Sequence, residues 1–400
     1  MNNDFDETCR NDVCDGFDSD LRNFVINGKT LVKYKGNGMK VRVPDGITEI
    51  TSLAFDDCAT EEIYLSDDVK VLKYRSVFNC KYLKRIRIPE GVLEFENESV
   101  SLCKSLESIY IPKNAVVHEK NGSKYPSFFM LYGLNEIIVN EENELFESVD
   151  NCLIAKASGK LILGSNNSII PGKGRVKCIG EYAFYNSESL FHLRIPSGVE
   201  EIGESAFCFC SSLKDISVSD TVKKIHESSF SDCKSLAKIK VSEENSFFYA
   251  ENDCLIKKDG EILVRGSNFS VIPDGVVEIG EYAFSGLPDL EAVTISATVK
   301  KIDSGAFENC VNLQKVVIPK SVEIISETAF SSFPDDYYDY LTVYCEAERK
   351  PATWESGWNN CIKKVVWGYG GANECERYAS TDDDENLSDF IDDEFGDIVD

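Results

Sequence analysis

Several stretches of this sequence hold residue types that can do chemistry. The phrase IGEYAF occurs at residues 179–184 and again at 279–284, and its Glu and Tyr side chains can transfer protons. Acidic residues cluster in DVCDGFDSD, residues 12–20, and carboxylates are ligands that Ca²⁺ prefers. Cysteines number fifteen, and Cys208 and Cys210 form a C-x-C pair that raises the question of a Zn²⁺ site.

None of these stretches has the spacing that its chemistry requires. The acidic stretch lacks the EF-hand spacing and its closing Glu, and no histidine clusters with the C-x-C pair. The sequence also lacks a G-x-S-x-G elbow, an H-E-x-x-H zinc helix and a Walker loop. We therefore predict no catalytic residue, no metal site and no cofactor, with an enzyme of unfamiliar site as the remaining alternative.

Charge and hydropathy narrow the function further. The chain has 69 acidic and 42 basic residues, a formal net charge of −27, which argues against a nucleic-acid partner or an anionic membrane surface. No window holds about 18 apolar residues, so membrane insertion is not expected. The first twenty residues lack the basic and apolar regions of a signal peptide, which predicts a cytoplasmic protein with reduced cysteines. Export to the cell surface by a non-classical route is the alternative.

A repeat accounts for the phrase IGEYAF. Phenylalanine recurs in steps of 23 residues, at Phe55 and Phe78, and within two further groups: Phe184, Phe207 and Phe230; Phe284, Phe307 and Phe330. The segment LKDISVSDTVKKIHESSFSDC, residues 213–233, begins with the alternation of a short strand. One such unit cannot bury its own apolar side, whereas stacked units can. The sequence predicts a β-rich repeat solenoid of about ten coils, each of about 23 residues.

Cysteines share this register. Cys58, Cys103, Cys210, Cys233 and Cys310 each follow the Phe position by three residues. A repeated turn position suits a small buried side chain with a weak S–H donor, so we expect a structural role for these thiols.

The regular spacing is interrupted at matching places. Residues 144–171 and 246–273 align with each other and read as strand, turn and strand, which predicts β-hairpin inserts near 140–170 and 242–272. The stretch 118–139 exceeds one coil and is expected to bulge outward. We predict the following organisation: a disordered acidic tail at 1–22, a β cap at 23–43, the solenoid at 44–343, a Trp-rich cap at 344–371 and a disordered acidic tail at 372–400, in which apolar residues among the acids leave a short recognition segment as an alternative.

These residues resemble a known family. IPSGVEEIGESAFCFCSSLKDI, residues 195–216, is similar to the unit IPxxVxxIGxxAFxxCxxLxxI of the BspA-like, or Treponema pallidum-type, leucine-rich repeat proteins. The resemblance covers about residues 23–371 and implies a leucine-rich repeat solenoid. It also implies surface adhesins that bind host matrix proteins or other cells.

The strand of each coil supplies the candidate binding residues. Between its two core positions each strand has one residue that points outward, and these residues should form a row. We select five of them as a candidate protein-binding face, because exposed aromatic residues and Arg favour protein interfaces: Tyr64, Arg87, Tyr110, Arg194 and Lys240. Ordinary solvated residues are the alternative interpretation. We expect a non-catalytic scaffold that binds a protein partner, with a surface adhesin as the alternative.

Overall fold

The computed structural model describes residues 16–119, 125–331 and 340–370. It confirms the predicted β-solenoid, in which 34 short strands alternate with turns and the described helix is limited to two 3₁₀ segments, Leu21–Asn23 and Glu227–Phe230. Of the two predicted acidic tails, residues 1–15 and 371–400 lie outside the described residues.

One row of strands carries the candidate binding residues, and we call its members the major strands. In most of them the residue between two inward-facing core residues points outward, as in β20, where Leu193 and Ile195 are buried and Arg194 is exposed. They pair in parallel with coils one repeat apart, for example Leu193 with Ile216. Numbered in chain order with all other strands, they are β3 (Lys40–Arg42), β6 (Glu62–Tyr64), β9 (Arg85–Arg87), β12 (Ser108–Ile111), β15 (Glu136–Val139), β20 (His192–Ile195), β22 (Asp215–Val218), β24 (Lys238–Val241), β29 (Ala292–Thr294), β31 (Lys315–Ile318), β33 (Thr342–Cys345) and β34 (Lys364–Trp367).

The described residues contain twelve major strands, so the predicted count of about ten coils is approximate. A second row of two-residue minor strands also pairs in parallel: β4 (Glu49–Ile50), β7 (Val71–Leu72), β10 (Glu94–Phe95), β13 (Val116–Val117), β19 (Cys178–Ile179), β21 (Glu201–Ile202), β23 (Lys224–Ile225), β28 (Glu278–Ile279), β30 (Lys301–Ile302) and β32 (Ile324–Ile325). In the first part of the chain a third row is formed by β5 (Phe55–Asp56), β8 (Val77–Phe78), β11 (Val100–Ser101) and β14 (Phe128–Phe129).

Antiparallel strands divide the solenoid into three blocks. The first block starts with the pair β1 (Phe24–Asn27) and β2 (Thr30–Tyr34), and the others start with three-stranded units. The first unit, hairpin one, is β16 (Phe146–Val149), β17 (Cys152–Ala155) and β18 (Lys160–Gly164); the second, hairpin two, is β25 (Phe248–Glu251), β26 (Cys254–Lys257) and β27 (Ile262–Arg265). The last strand of each unit pairs in parallel with the next minor strand, so the block continues from it.

Local sequence explains why the hairpins form. Asp150 and Asn151 both have positive φ, 49° and 59°, as do Asn252 and Asp253 at the same place in hairpin two. Two adjacent left-handed residues define the tight type I′ turn, and Asn and Asp tolerate that conformation best after Gly.

The hairpins are buried within the core of the solenoid and are not additions to its surface. In hairpin one, Leu153 and Leu163 pack into the core of the first block, whereas Cys152 and Leu161 pack into the core of the second. Because alternate side chains of a strand point to opposite faces, a strand buried on both sides can join two cores.

Stacked aromatic rings fill the core of the later blocks. The rings of Phe184, Phe207 and Phe230 lie 5.1 and 5.4 Å apart and nearly parallel. Phe284, Phe307 and Phe330 repeat this arrangement at 5.2 Å. Trp358, only 1% exposed, lies edge-on to Phe330 and closes the last block.

The cysteines act as the sequence predicts. The thiol of Cys210 donates to the carbonyl oxygen of Phe184, 3.2 Å away in the preceding coil, and Cys233 and Cys310 repeat this bond to Phe207 and Phe284 at 3.3 and 3.0 Å. Each buried turn carbonyl thereby gains a donor, which offsets its desolvation.

Residues 16–22, assigned from the sequence to an acidic tail, have a defined position beside the first block. Asp18 forms an isolated parallel bridge with Val41, and its carboxylate accepts hydrogen bonds from the Tyr34 hydroxyl at 2.6 Å and the Asn23 amide at 2.9 Å. These bonds depend on pairing with distant residues, which the local acidic composition does not reveal.

Candidate interaction surface

The strand register brings the outward residues together within each block. Arg194, Ser217 and Lys240 are successive Cα partners on β20, β22 and β24. Tyr64 and Arg87 are partners on β6 and β9. Tyr110 pairs with Ile138 instead, on the separate sheet β12–β15. The five candidate residues thus lie on three sheets, and hairpin one separates Tyr110 from Arg194 in the chain. We call the outward residues of the major strands the strand face.

Arg194 and Lys240 carry accessible positive charge in the second-block part of this face. Both are exposed, and no described residue forms a hydrogen bond or an ion pair with either side chain. Two strand spacings separate them, about 10 Å. Lys238 is also exposed and lies at the start of β24, beside Asp215, whose carboxylate is engaged by the His192 ring. The second block therefore presents a basic patch on an acidic protein.

Arg87 is held more tightly than Arg194. Its guanidinium donates to the carbonyl oxygen of Leu65 at 3.1 Å and to the carboxylate of Asp67 at 2.8 Å, and its side chain is 27% exposed. The adjacent Tyr64 is partly covered by Phe17, whose ring meets it edge to face at 4.6 Å. These two residues support the local structure as well as presenting surface.

Tyr110 is also tied down. Its hydroxyl donates to the carboxylate of Glu90 and accepts a hydrogen bond from the Asn140 amide at 3.1 Å. Burial and the Glu90 carboxylate raise the pKa of Tyr110 to about 12, so the phenol stays neutral at physiological pH.

The third block adds an aromatic residue that the sequence analysis omitted. Tyr344 on β33 is the register partner of Val317 and continues the outward row. The ammonium of Lys315 lies 5.4 Å from the centre of its ring. The alternation in TVYC, residues 342–345, was the signal that could have identified Tyr344.

A buried charge outside the strand face was also missed. Arg265 is 1% exposed and donates to the carbonyl oxygens of Tyr282 and Ser285, at 3.1 and 2.9 Å. Burial is the main cause that lowers its pKa, and the carboxylate of Asp232 opposes this effect. Arg265 precedes Gly266 in hairpin two, and the buried Leu163 precedes Gly164 at the same place in hairpin one. This alignment of the two inserts is the sequence signal that could have indicated a buried Arg265.

Across residues 16–119, 125–331 and 340–370, no group of three or more His, Cys, Asp or Glu side chains is placed to hold a metal ion. Among those same residues no helix has the length and apolar character needed to cross a membrane.

The family follows from a direct comparison. Six copies of the BspA type leucine rich repeat region match the chain, over residues 32–147, 165–256 and 267–335. The chain belongs to the BspA-type leucine-rich repeat family. The sequence resemblance is thereby confirmed over more than half of its length.

Two solved structures are similar to this chain. Pneumococcal vaccine antigen PcpA is 18% identical, with a TM-score of 0.51 over 84% of this chain and 76% of that one. A leucine-rich repeat protein from Eubacterium ventriosum is 19% identical, with a TM-score of 0.49 over 78% of this chain and 90% of that one. A search of curated proteins found no match.

Proposed function

We propose that this BspA-type protein is a non-catalytic scaffold that binds a protein partner through its strand face. The observation that carries the proposal is the pair Arg194 and Lys240, which are exposed, have no described partners and lie two strand spacings apart in one sheet. Strands that pair in parallel hold the backbone of these residues at a fixed spacing, so a partner that binds them orders side chains but not backbone.

The charge of the protein indicates the kind of partner. A net charge of −27 disfavours the phosphate backbone of nucleic acids, while the basic patch of the second block suits an acidic surface of a protein. Tyr64, Arg87 and Tyr110 extend the same face in the first block, and they supply the aromatic and guanidinium groups that often anchor interfaces.

Affinity capture with the full chain tests this proposal. The unmodified protein and the variant Arg194→Glu/Lys240→Glu are used as baits, after thermal unfolding has shown that both fold. A protein retained by the first bait and lost by the second supports the strand face as the site. Recovery of the same proteins by both baits contradicts it.

A second candidate is a surface antigen or adhesin. It is favoured by the likeness in fold to PcpA, which is described as a vaccine antigen. The sequence expectation of a cytoplasmic protein opposes it. Treatment of intact cells with an impermeant amine label distinguishes the adhesin from the cytoplasmic scaffold. Label on the protein requires a surface location, whereas complete protection contradicts the adhesin interpretation.

A further inference from the structure

A groove lies beside the minor strands β21 and β23, where the second block meets hairpin two. Its volume is about 390 Å³, and its lining includes the apolar side chains of Ile225, Phe248, Ile262 and Val264. Four glutamates, Glu227 among them, and three lysines make up most of the remaining lining, together with Ile202, His226 and two glycines.

The equivalent place at the preceding junction is closed. There β13 is followed by His118 and Glu119, just as β23 is followed by His226 and Glu227. The cavity beside Glu119 is only about 10 Å³, and Pro126 is part of its lining. The second junction has no counterpart of Pro126. Fewer residues separate Glu227 from Phe230 than separate Glu119 from Phe128.

The two hairpins differ at a position where hairpin one has a lysine and hairpin two has an apolar residue. In hairpin one, the ammonium of Lys160 lies 2.7 Å from the carboxylate of Glu119 and 2.7 Å from that of Glu181. Ile262 occupies the same register position in hairpin two, since Lys160 pairs with Cys178 and Ile262 pairs with Glu278. At the second junction the acids equivalent to Glu119 and Glu181 therefore lack the lysine that joins them at the first.

These two acids are Glu227, in the groove lining, and Glu281, which follows the lining residue Gly280. Burial, the carboxylate of Asp303 and that of Glu227 together raise the pKa of Glu281, although Lys301 and His226 act in the opposite direction. The ammonium of Lys301 is itself engaged by Glu278 and Asp303. Glu227 and Glu281 are thus two neighbouring carboxylates that a basic side chain would stabilise.

The groove also contains an open strand edge. Minor strand β23 is the last of its six-stranded sheet. The carbonyl oxygen of Ile202 accepts a hydrogen bond from the amide of His226 in the next coil. Ile225 is the register partner of Ile202, yet no described residue donates to its carbonyl oxygen. An unpaired edge is a template for an additional strand.

We propose that this groove binds an extended segment of a partner protein that carries a Lys or Arg residue. The segment pairs with the edge of β23 and lays apolar side chains on Ile225 and Phe248. Its basic side chain lies between Glu227 and Glu281, as Lys160 does between Glu119 and Glu181. Main-chain pairing supplies affinity and the charged position supplies specificity in this mode of recognition. The strand face is not involved.

Selection of ten-residue peptides from a random phage-displayed library tests the proposal on the full chain. We expect enriched peptides to carry Lys or Arg beside apolar residues. Their affinity for the unmodified protein and for Ile262→Lys is then measured by fluorescence anisotropy. Ile262→Lys places a lysine where hairpin one has Lys160, so the affinity should fall at least tenfold. Glu227→Lys provides a second variant should Ile262→Lys fold poorly, and the same loss is expected.

Two controls separate this site from others. The exposed Glu141 does not line the groove, so Glu141→Lys changes the net charge as much as Glu227→Lys does and should leave peptide affinity unchanged. Arg194→Glu/Lys240→Glu should also bind the peptides normally, which keeps this result distinct from that of the strand face. Enrichment of acidic peptides, the absence of any enrichment, or equal affinity for the unmodified protein and both groove variants would overturn the proposal.

Discussion

The ring of Phe184 lies directly on the backbone of Gly164. A Cβ atom built on this glycine would be 1.9 Å from Cε1 of the ring, and Gly266 has the same relationship to Phe284 at 2.1 Å. The glycine at or just after the end of the last strand of each hairpin thus provides the space in which the first ring of the following stack packs. Each stack depends on this position, because the later rings follow at intervals of 5.1 to 5.4 Å.

Substitution Gly164→Ala should therefore destabilise the second block. Overpacking of a filled core costs about 1–3 kcal/mol, and the buried ring of Phe184, stacked on Phe207, has little room to move aside. Urea unfolding measures the loss. Gly172→Ala is the matched control, since its Cβ would meet only Pro196 at 3.4 Å, an ordinary contact. Equal stability of the two variants would show that the ring does not depend on the glycine.

Thiol reactivity should follow burial in the coils. Burial raises the pKa of Cys210 well above its usual range and that of Cys233 to about 12, and both thiols donate to backbone carbonyls. We expect both to resist a maleimide label at pH 8, whereas the partly exposed Cys361 reacts. Mass spectrometry of peptides from native protein measures this order. Denaturation in urea should make all three reactive, and fast labelling of Cys210 in the native protein would contradict the account.

Stability should depend on pH through Asp232. Its carboxylate is 7% exposed, and burial raises its pKa despite the nearby Arg265. Because the folded state then retains a proton that the unfolded state loses, this group's contribution decreases as pH rises from about 3.8 through the raised pKa. In Asp232→Asn this decrease should disappear, as measured by urea unfolding from about pH 4 to about pH 7.

Asp303 is the control of opposite sign. Burial raises its pKa, but hydrogen bonds from Lys301 and the Ser304 amide outweigh this effect and lower it. Its contribution is therefore present above the unfolded pKa and is lost as pH falls through the lower folded value. Asp303→Asn should therefore remove a loss of stability that occurs below about pH 4, whereas Asp232→Asn removes one that occurs above it. Urea unfolding extended to about pH 2 measures both, and effects in the same pH range would show that the assigned environments are wrong.

Much of this architecture could be predicted from spacing alone. Steps of 23 residues between phenylalanines identified the coils, and alternation within each strand identified Arg194 and Lys240 as outward residues. Both signals are local, so one coil is enough to reveal them.

Features that depend on how blocks meet could not be predicted in this way. Leu153 and Ile154 read alike in sequence, yet they face two different cores, because hairpin one is buried on both sides. An arginine at the end of a strand is expected to be exposed, but Arg265 is buried. The tethering of Arg87 by Asp67 likewise depends on the loop that follows the preceding strand, so the sequence ranked Arg87 equal to Arg194 although their environments differ.

The central claim is that the strand face binds the partner, and affinity for a purified partner tests it most directly. Calorimetry would compare the unmodified chain with Arg194→Glu/Lys240→Glu and with Lys177→Glu/Lys300→Glu, two exposed lysines next to minor strands. We predict at least tenfold weaker binding, about 1.4 kcal/mol, for the strand-face variant alone. Unchanged affinity in that variant, or an equal loss in both, would contradict the claim.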